Sequence, residues 1–506
     1  MTEIVERAGR REWVGLVVLT IPALLASMDL SVLFMAAPWL SADLEPSGTQ
    51  LLWIMDVYGF LMAGLLITMG SLGDRIGRRR LLLAGAVAFG AASVLAAYAT
   101  SPEMLIAARA LLGIGGATLA PSTLSLIRGM FHDANQRRAA IGVWTAAFTG
   151  GVAVGPIIGG LLLEHFWWGS VFLINLPVMV LLLIVGPLLL PESRNPAHGG
   201  VDVVSAVLSL AAVLPVIYGI KEIAAHAAVS APDVAAIAAG LLLGVLFVRR
   251  QRSLDDPMID VRLFRSPAFS AAVGTNAAVT FATAGMGAIA VQYVQSVLGI
   301  RPFTAALWML PTVGGTVVGI VVANLLVRRI SPGIVVGSGA AVAALGFALV
   351  ALTVEVDSGV GVVIACYTVL VAGVGMAASL VIDLIVGSAP PERSGSAAAT
   401  SETAGELGAA TGIAVLGSVA VAVYGDSLRQ SVAGVTEAAT GSLGGAFAVA
   451  DSLPAVEAEA LLVAARVAFT EGFTVTATVG AVVLGVVAVA ATVALRRRPV
   501  AVPVSE

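Results

Sequence analysis

The chain is predicted to be an all-α polytopic membrane protein, and three observations lead there. Hydrophobic residues fill 58% of its 506 positions and charged ones only 11%, against about 25% charged in soluble domains. Mean hydropathy is +1.00. Fourteen apolar stretches are long enough to cross ~30 Å of hydrocarbon. In a bilayer no water satisfies a stray backbone amide, so each stretch must be helical.

Fourteen is even, so both termini are expected on one side. Placing that side in the cytoplasm puts 22 of the 26 arginines at cytoplasmic ends, the exceptions being Arg109, Arg301, Arg429 and Arg466. That bias is the positive-inside rule, and it sets the expected orientation. The only lysine, Lys221, falls near an outer end. The single cysteine, Cys366, lies in an apolar stretch and allows no internal disulfide. The sequence carries no Walker motif, metal-ligand cluster or nucleophile elbow. An enzyme, a resident cofactor or metal, and a nucleic-acid partner are therefore not expected.

In chain order, residues 1–13 form a basic tail with Arg7, Arg10 and Arg11. Span 1 (14–39) is too long for a signal-peptide core and carries Asp29, so it is expected to be retained. Span 2 (51–71) contains Trp53, Asp56 and Tyr58. Spans 3 (80–98) and 4 (103–127) follow, the latter with Arg109, then spans 5 (138–162) and 6 (168–190). Spans 7 and 8 occupy 203–222 and 232–249, and the charged, proline-containing segment 250–267 reads as a cytoplasmic linker. Five further spans run over 268–298, 303–327, 332–354, 359–388 and 397–424. An outer loop of ~40 residues, 425–466, separates them from the last span, 470–495, and within it 455–467 is compatible with a short surface helix. Residues 496–506 form a second cytoplasmic tail.

Span 5 contains Gly151-Val-Ala-Val-Gly155-Pro156-Ile-Ile-Gly159-Gly160. Such a run would break a soluble helix; in a bilayer a neighbouring helix can cover the freed backbone groups. Gly151, Gly155 and Gly159 recur every four residues and leave one face bare, on which another helix can approach at backbone contact. Spacing alone leaves two readings open, a static packing seam or a bending, sliding seam between two halves of a transporter.

Between spans 2 and 3 the chain reads Gly70-Ser-Leu-Gly-Asp74-Arg75-Ile-Gly77-Arg78-Arg79-Arg80. Glycines permit a tight turn, Asp74 suits a helix N-terminus or a basic partner, and the arginines suit anionic headgroups. This loop resembles the signature loop of the major facilitator superfamily. Leu105-x-x-x-Arg109-x-x-x-Gly113-Ile-Gly115-Gly-Ala117 resembles the superfamily's intramembrane-arginine motif, with Leu112 where a glutamine is usual. The span 5 decapeptide resembles its antiporter motif. Met28-Asp29-Leu-Ser31-Val-Leu-Phe34-Met-Ala-Ala-Pro38 resembles the first span of the fourteen-span drug:proton antiporters, with Phe34 in place of the usual asparagine. The resemblance covers nearly the whole chain and is closest in pattern to exporters of quaternary ammonium compounds and dyes. It implies two six-helix bundles, 14–190 and 268–495, with 203–249 as two inserted helices. It also implies that spans 1, 4, 9 and 12 line a central cavity, while spans 2, 5, 10 and 13 form the seam between bundles.

Six ionisable residues lie in apolar spans where charge is costly: Asp29, Asp56, Arg109, Asp383, Glu402 and Glu406. Asp29 is the deepest. Glu402 and Glu406 are spaced i, i+4 and share a helix face. Under the resemblance, Asp29, Arg109 and Asp383 belong to the cavity, and Asp56, Glu402 and Glu406 to the seam with the glycine face of span 5. The expected function is proton-driven export of lipophilic cations, with Asp29 and Arg109 as the candidate switching pair and a monomer as the expected state. A dedicated exporter of one antibiotic class is the alternative. A nutrient importer is disfavoured by the span 5 motif, and a membrane sensor by the lack of room for a soluble output domain.

Overall fold

The computed structural model describes residues 8–192, 202–226, 229–254, 257, 259–388 and 394–495. No strand occurs among them. The helices in order are α1 (Arg10–Leu44), α2 (Gly48–Ile76), α3 (Arg78–Ala97), α4 (Pro102–Met130), α5 (Ala134–His165), α6 (Ser170–Leu173), α7 (Asn175–Leu189), α8 (Val203–His226) and α9 (Ala231–Ser253). After them come α10 (Pro267–Gln292), α11 (Pro302–Trp308), α12 (Leu310–Leu326), α13 (Pro332–Thr353), α14 (Val360–Gly387), α15 (Ser394–Ser431), α16 (Glu437–Gly441), α17 (Leu443–Ala450) and α18 (Ala455–Leu495).

Among the described residues, thirteen helical segments are long and apolar enough to cross a membrane. The expected fourteenth, α5, is a continuous helix whose apolar stretch is described in two shorter pieces, Ala139–Phe148 and Val154–His165. Helix starts follow local chemistry. Ser47, Ser101 and Ser230 accept hydrogen bonds from the backbone amides of Gln50, Met104 and Asp233, so each caps the helix that follows it. Pro102, Pro267 and Pro302 begin helices where no amide donor is needed.

Helices α1–α7 pack into one bundle and α10–α18 into a second, while α8 and α9 pair with each other and α8 lies against α2 and α15. Asp202, Ser205 and Arg250 tie the α8–α9 pair, with Arg250 Nη2 2.8 Å from Asp202 Oδ1. The segment expected as an outer loop is mostly helical. Its last part, from Ala455, is not a separate surface helix but the opening turns of the 41-residue α18. No proline interrupts that run after Pro454, so the helix continues from surface to membrane.

The side where α1 begins and α18 ends is called here the terminal side. The contacts that join the two bundles lie in the middle and far halves of their helices. Gly59 faces Ala410, Leu52 faces Gly417, Phe34 faces Gly287, and Gly160 faces Phe303. Gln295 Nε2 lies 3.3 Å from the sulfur of Met35, and Arg301 Nε lies 3.5 Å from Glu164 Oε1. The helices α16 and α17 sit on the far end, where Tyr424 Oη donates to the carbonyl of Ala439 at 2.8 Å and Gly444 packs on Ser41 of α1. The bundles are therefore closed against each other away from the termini.

Candidate functional site

Arg109 is fully buried on α4, and Gly113 one turn further on lets α2 approach. A Cβ on Gly113 would lie 2.6 Å from the carbonyl oxygen of Tyr58. At that close approach Arg109 Nε donates to the carbonyl of Ile54 at 3.0 Å. Its Cζ lies 4.7 Å from the centre of the Tyr58 ring, a cation–π contact. Its Nη1 pairs with Asp29 Oδ2, and Asp29 is itself buried. The structure thus brings together two of the six candidates, and through them α1, α2 and α4. Arg109 Nη2 and the Tyr58 hydroxyl have no hydrogen-bond partner among the described residues. A buried pair of this kind is costly to assemble and more costly to break by halves, because the remaining charge is then stranded.

A second buried pair sits on another face of α2. Asp56 is fully buried, and Lys221 of α8 places Nζ 2.9 Å from its carboxylate. The ammonium lies 3.9 Å from the centre of the Trp53 ring. Sequence reasoning flagged Asp56 and missed its partner. The available signal was Lys221 itself, the only lysine and out of place for the positive-inside rule.

Glu402 and Glu406 lie in the terminal half of α15, on one face. Glu402 is exposed although it sits within a long apolar helix, and Glu406, one turn deeper, is half-buried. Arg128 at the end of α4 is near enough to act on the charge of Glu402, and Glu406 on Tyr58. Two acids on the terminal half of α15 therefore lie within electrostatic reach of α4 and α2. Asp383 is exposed near the end of α14 and makes no ion pair among the described residues. It does not join the Asp29–Arg109 pair.

In the loop between α2 and α3 the turn is made by Gly77, whose φ of 115° is open to glycine and strained for other residues. The side chain of Asp74 lies outside the described residues. Among the described residues, a carboxylate that meets the start of α3 is that of Glu192, beyond α7, which accepts from the Arg79 amide at 3.1 Å and lies near the Arg79 and Arg80 side chains. Arg79 also donates to the carbonyls of Pro187 and Leu190, and Arg11 to that of Leu188. These arginines bind the end of α7 rather than only serving headgroups. Glu192 was missed because a lone acid after a span has no distinguishing pattern. Gly70 lies near Pro121 of α4, and Arg75 is exposed.

The glycine row of α5 corrects the expectation that it lies between the bundles. Added Cβ atoms on Gly151 and Gly155 would overlap Ser27, Leu24, Ser31 and Met28, and one on Gly159 would lie 3.2 Å from Val32. All of these belong to α1, in the same bundle. Only Gly160 faces the other bundle, where its Cβ would lie 2.8 Å from the Cα of Phe303 on α11. The reason is the helical period: residues four apart share a face, and the next residue turns about 100° away. Pro156 is inside α5 and half-buried.

Two helical bundles meeting at one end, with ion pairs buried within their spans, have the architecture of a multi-pass membrane transporter. The chain belongs to the Major Facilitator Superfamily, whose family model matches residues 19–413. It is 45% identical to the multidrug efflux pump LfrA of Mycolicibacterium smegmatis, over 97% of this chain and 98% of that protein. It is 36% identical to the methyl viologen resistance protein SmvA of Salmonella typhimurium, over 91% of this chain and 93% of that one. Its fold resembles a bacterial homologue of the human lysosomal transporter Spinster with a TM-score of 0.68, at 16% identity, over 97% of this chain and all of that one.

Proposed function

We propose that this protein is a proton-coupled antiporter that exports lipophilic cationic drugs, dyes and quaternary ammonium compounds across the bacterial plasma membrane. The relatives' printed functions, multidrug efflux and methyl viologen resistance, support the cargo class. The observation that carries the coupling is the buried Asp29–Arg109 pair. A proton on Asp29, or a cation bound to it, supplies the counter-charge that Arg109 supplies when the pair is closed. Proton and cargo then compete for one carboxylate, which is a sufficient basis for exchange. Glu402 and Glu406 offer a first contact for cations entering between the bundles, and Tyr58, within reach of Glu406, stacks on Arg109.

In this reading α5 is the fourteenth span, the terminal side is cytoplasmic, and the bundles open inward. The arginine bias supports that orientation. The protein works as a monomer and uses the proton gradient with no cofactor. The test is a resistance panel in a pump-deleted host, joined to a dye experiment in proteoliposomes. Resistance to chemically diverse cations, with protons released on adding a cationic dye, is the expected result. Resistance confined to one neutral or anionic compound class would overturn the cargo assignment, and dye binding without proton release the coupling.

A further inference from the structure

The exporter reading uses Asp29 and Arg109 and leaves the second buried pair without a task. Its geometry resembles a recognition site more than a strut. The ammonium of Lys221 rests 3.9 Å above the face of Trp53 and 2.9 Å from a fully buried carboxylate. An aromatic face and a carboxylate converging on one cation is how proteins recognise organic ammonium ions. The two recognising groups both come from α2, and the cation comes from the inserted helix α8. Lys221 is fully buried, while Ile217 one turn earlier on the same face packs with Phe60, Ala410 and Ala414. The site therefore sits where α8, α2 and the acid-bearing α15 meet. A groove of about 690 Å³ on the far face is lined by Gln50, Glu222 and Glu437, and Glu222 adjoins Lys221 in the chain.

We propose that Trp53 and Asp56 form a binding site for alkylammonium ions that the protein fills with its own Lys221. The site needs no transport to be tested, and only its use rests on the exporter reading: as the seam opens, the tethered ammonium of α8 competes with cationic cargo for Asp56. A neutral side chain at 221 would leave Asp56 as a stranded buried charge, and a free amine of matching size would cure that defect.

The experiment is chemical rescue of purified full-length Lys221→Ala in detergent, with propylammonium chloride as the probe and sodium chloride at equal ionic strength and 1-propanol as controls. Lys221→Ala should unfold at a lower temperature than the wild type. Propylammonium should raise its unfolding temperature by roughly 2–4 °C, saturably, while neither control does. Wild type, whose site is already filled, should not respond. The double variant Asp56→Asn/Lys221→Ala keeps no buried ion, should fold without amine, and should also not respond. Adding Trp53→Leu to Lys221→Ala should weaken the amine's effect about tenfold. If Lys221→Ala can be purified only with the amine present, that dependence is itself the rescue. An equal response in the wild type or the double variant, no response in Lys221→Ala, or failure of that variant with and without amine while the double variant folds, each overturns the proposal. Dye efflux by the double variant, measured separately, reports on the exporter reading without bearing on the binding site.

Discussion

Replacing Asp29 by asparagine keeps the side-chain shape, removes its charge and strands the cation beside it. Arg109 is fully buried and loses its only ion-pair partner among the described residues, while keeping the Ile54 carbonyl and the Tyr58 ring. Breaking a buried pair by removing one partner typically costs about 3–5 kcal/mol. The two retained contacts put this case at the lower end, about 3 kcal/mol, or roughly 100-fold in a folding equilibrium. The double variant Asp29→Asn/Arg109→Gln strands no charge and should regain most of that loss. Transport should not return with it, because neither proton nor cation finds the carboxylate. Thermal unfolding of the purified proteins and dye-induced proton release in proteoliposomes are the two measurements. If Asp29→Asn unfolds like the wild type and still releases protons on adding dye, the pair neither stabilises the fold nor couples transport. If the double variant is as unstable as the single one, stranded charge is not the cause.

Other outcomes rest on single contacts. Gly155→Ala places a methyl group against Met28 and Ser31 inside one bundle, so it should lower stability by about 1–3 kcal/mol in a melting experiment. Gly160→Ala presses on α11 of the other bundle and should instead slow exchange between states, read as a lower dye-efflux rate at near-normal unfolding temperature. Tyr58→Phe removes a hydroxyl that is buried without a partner among the described residues and keeps the ring over Arg109. It should leave stability unchanged within about 1 kcal/mol; a large loss would show that the hydroxyl is held by another group. Glu402→Gln and Glu406→Gln should each raise the dye concentration needed for half-maximal efflux, to different extents for different cations, and an unchanged value for every dye removes α15 from the cargo path. Reporter fusions after Arg80 and Arg265 should read as cytoplasmic and one within 442–452 as external, and an inside reading for the last breaks the count of fourteen spans.

The sequence by itself determined the class of this protein, its family and the short list of residues worth asking about. An apolar stretch of spanning length has one stable backbone form in a bilayer, and a charge inside it is conspicuous because it is expensive. Asp29 and Arg109 were legible for that reason. Tertiary structure decided which charges meet. Asp56 and Lys221 lie 165 positions apart, and nothing in either span names the other. The helical period assigns Gly151, Gly155 and Gly159 to one face, but which helix covers that face is a matter of docking, and it proved to be α1 rather than the opposite bundle. Glu192 reaches the start of α3 from 113 positions away because a folded chain can bring any carboxylate to a helix start. Periodicity fixes the direction in which a side chain leaves its helix. What waits there is set by the packing of helices far apart in the chain.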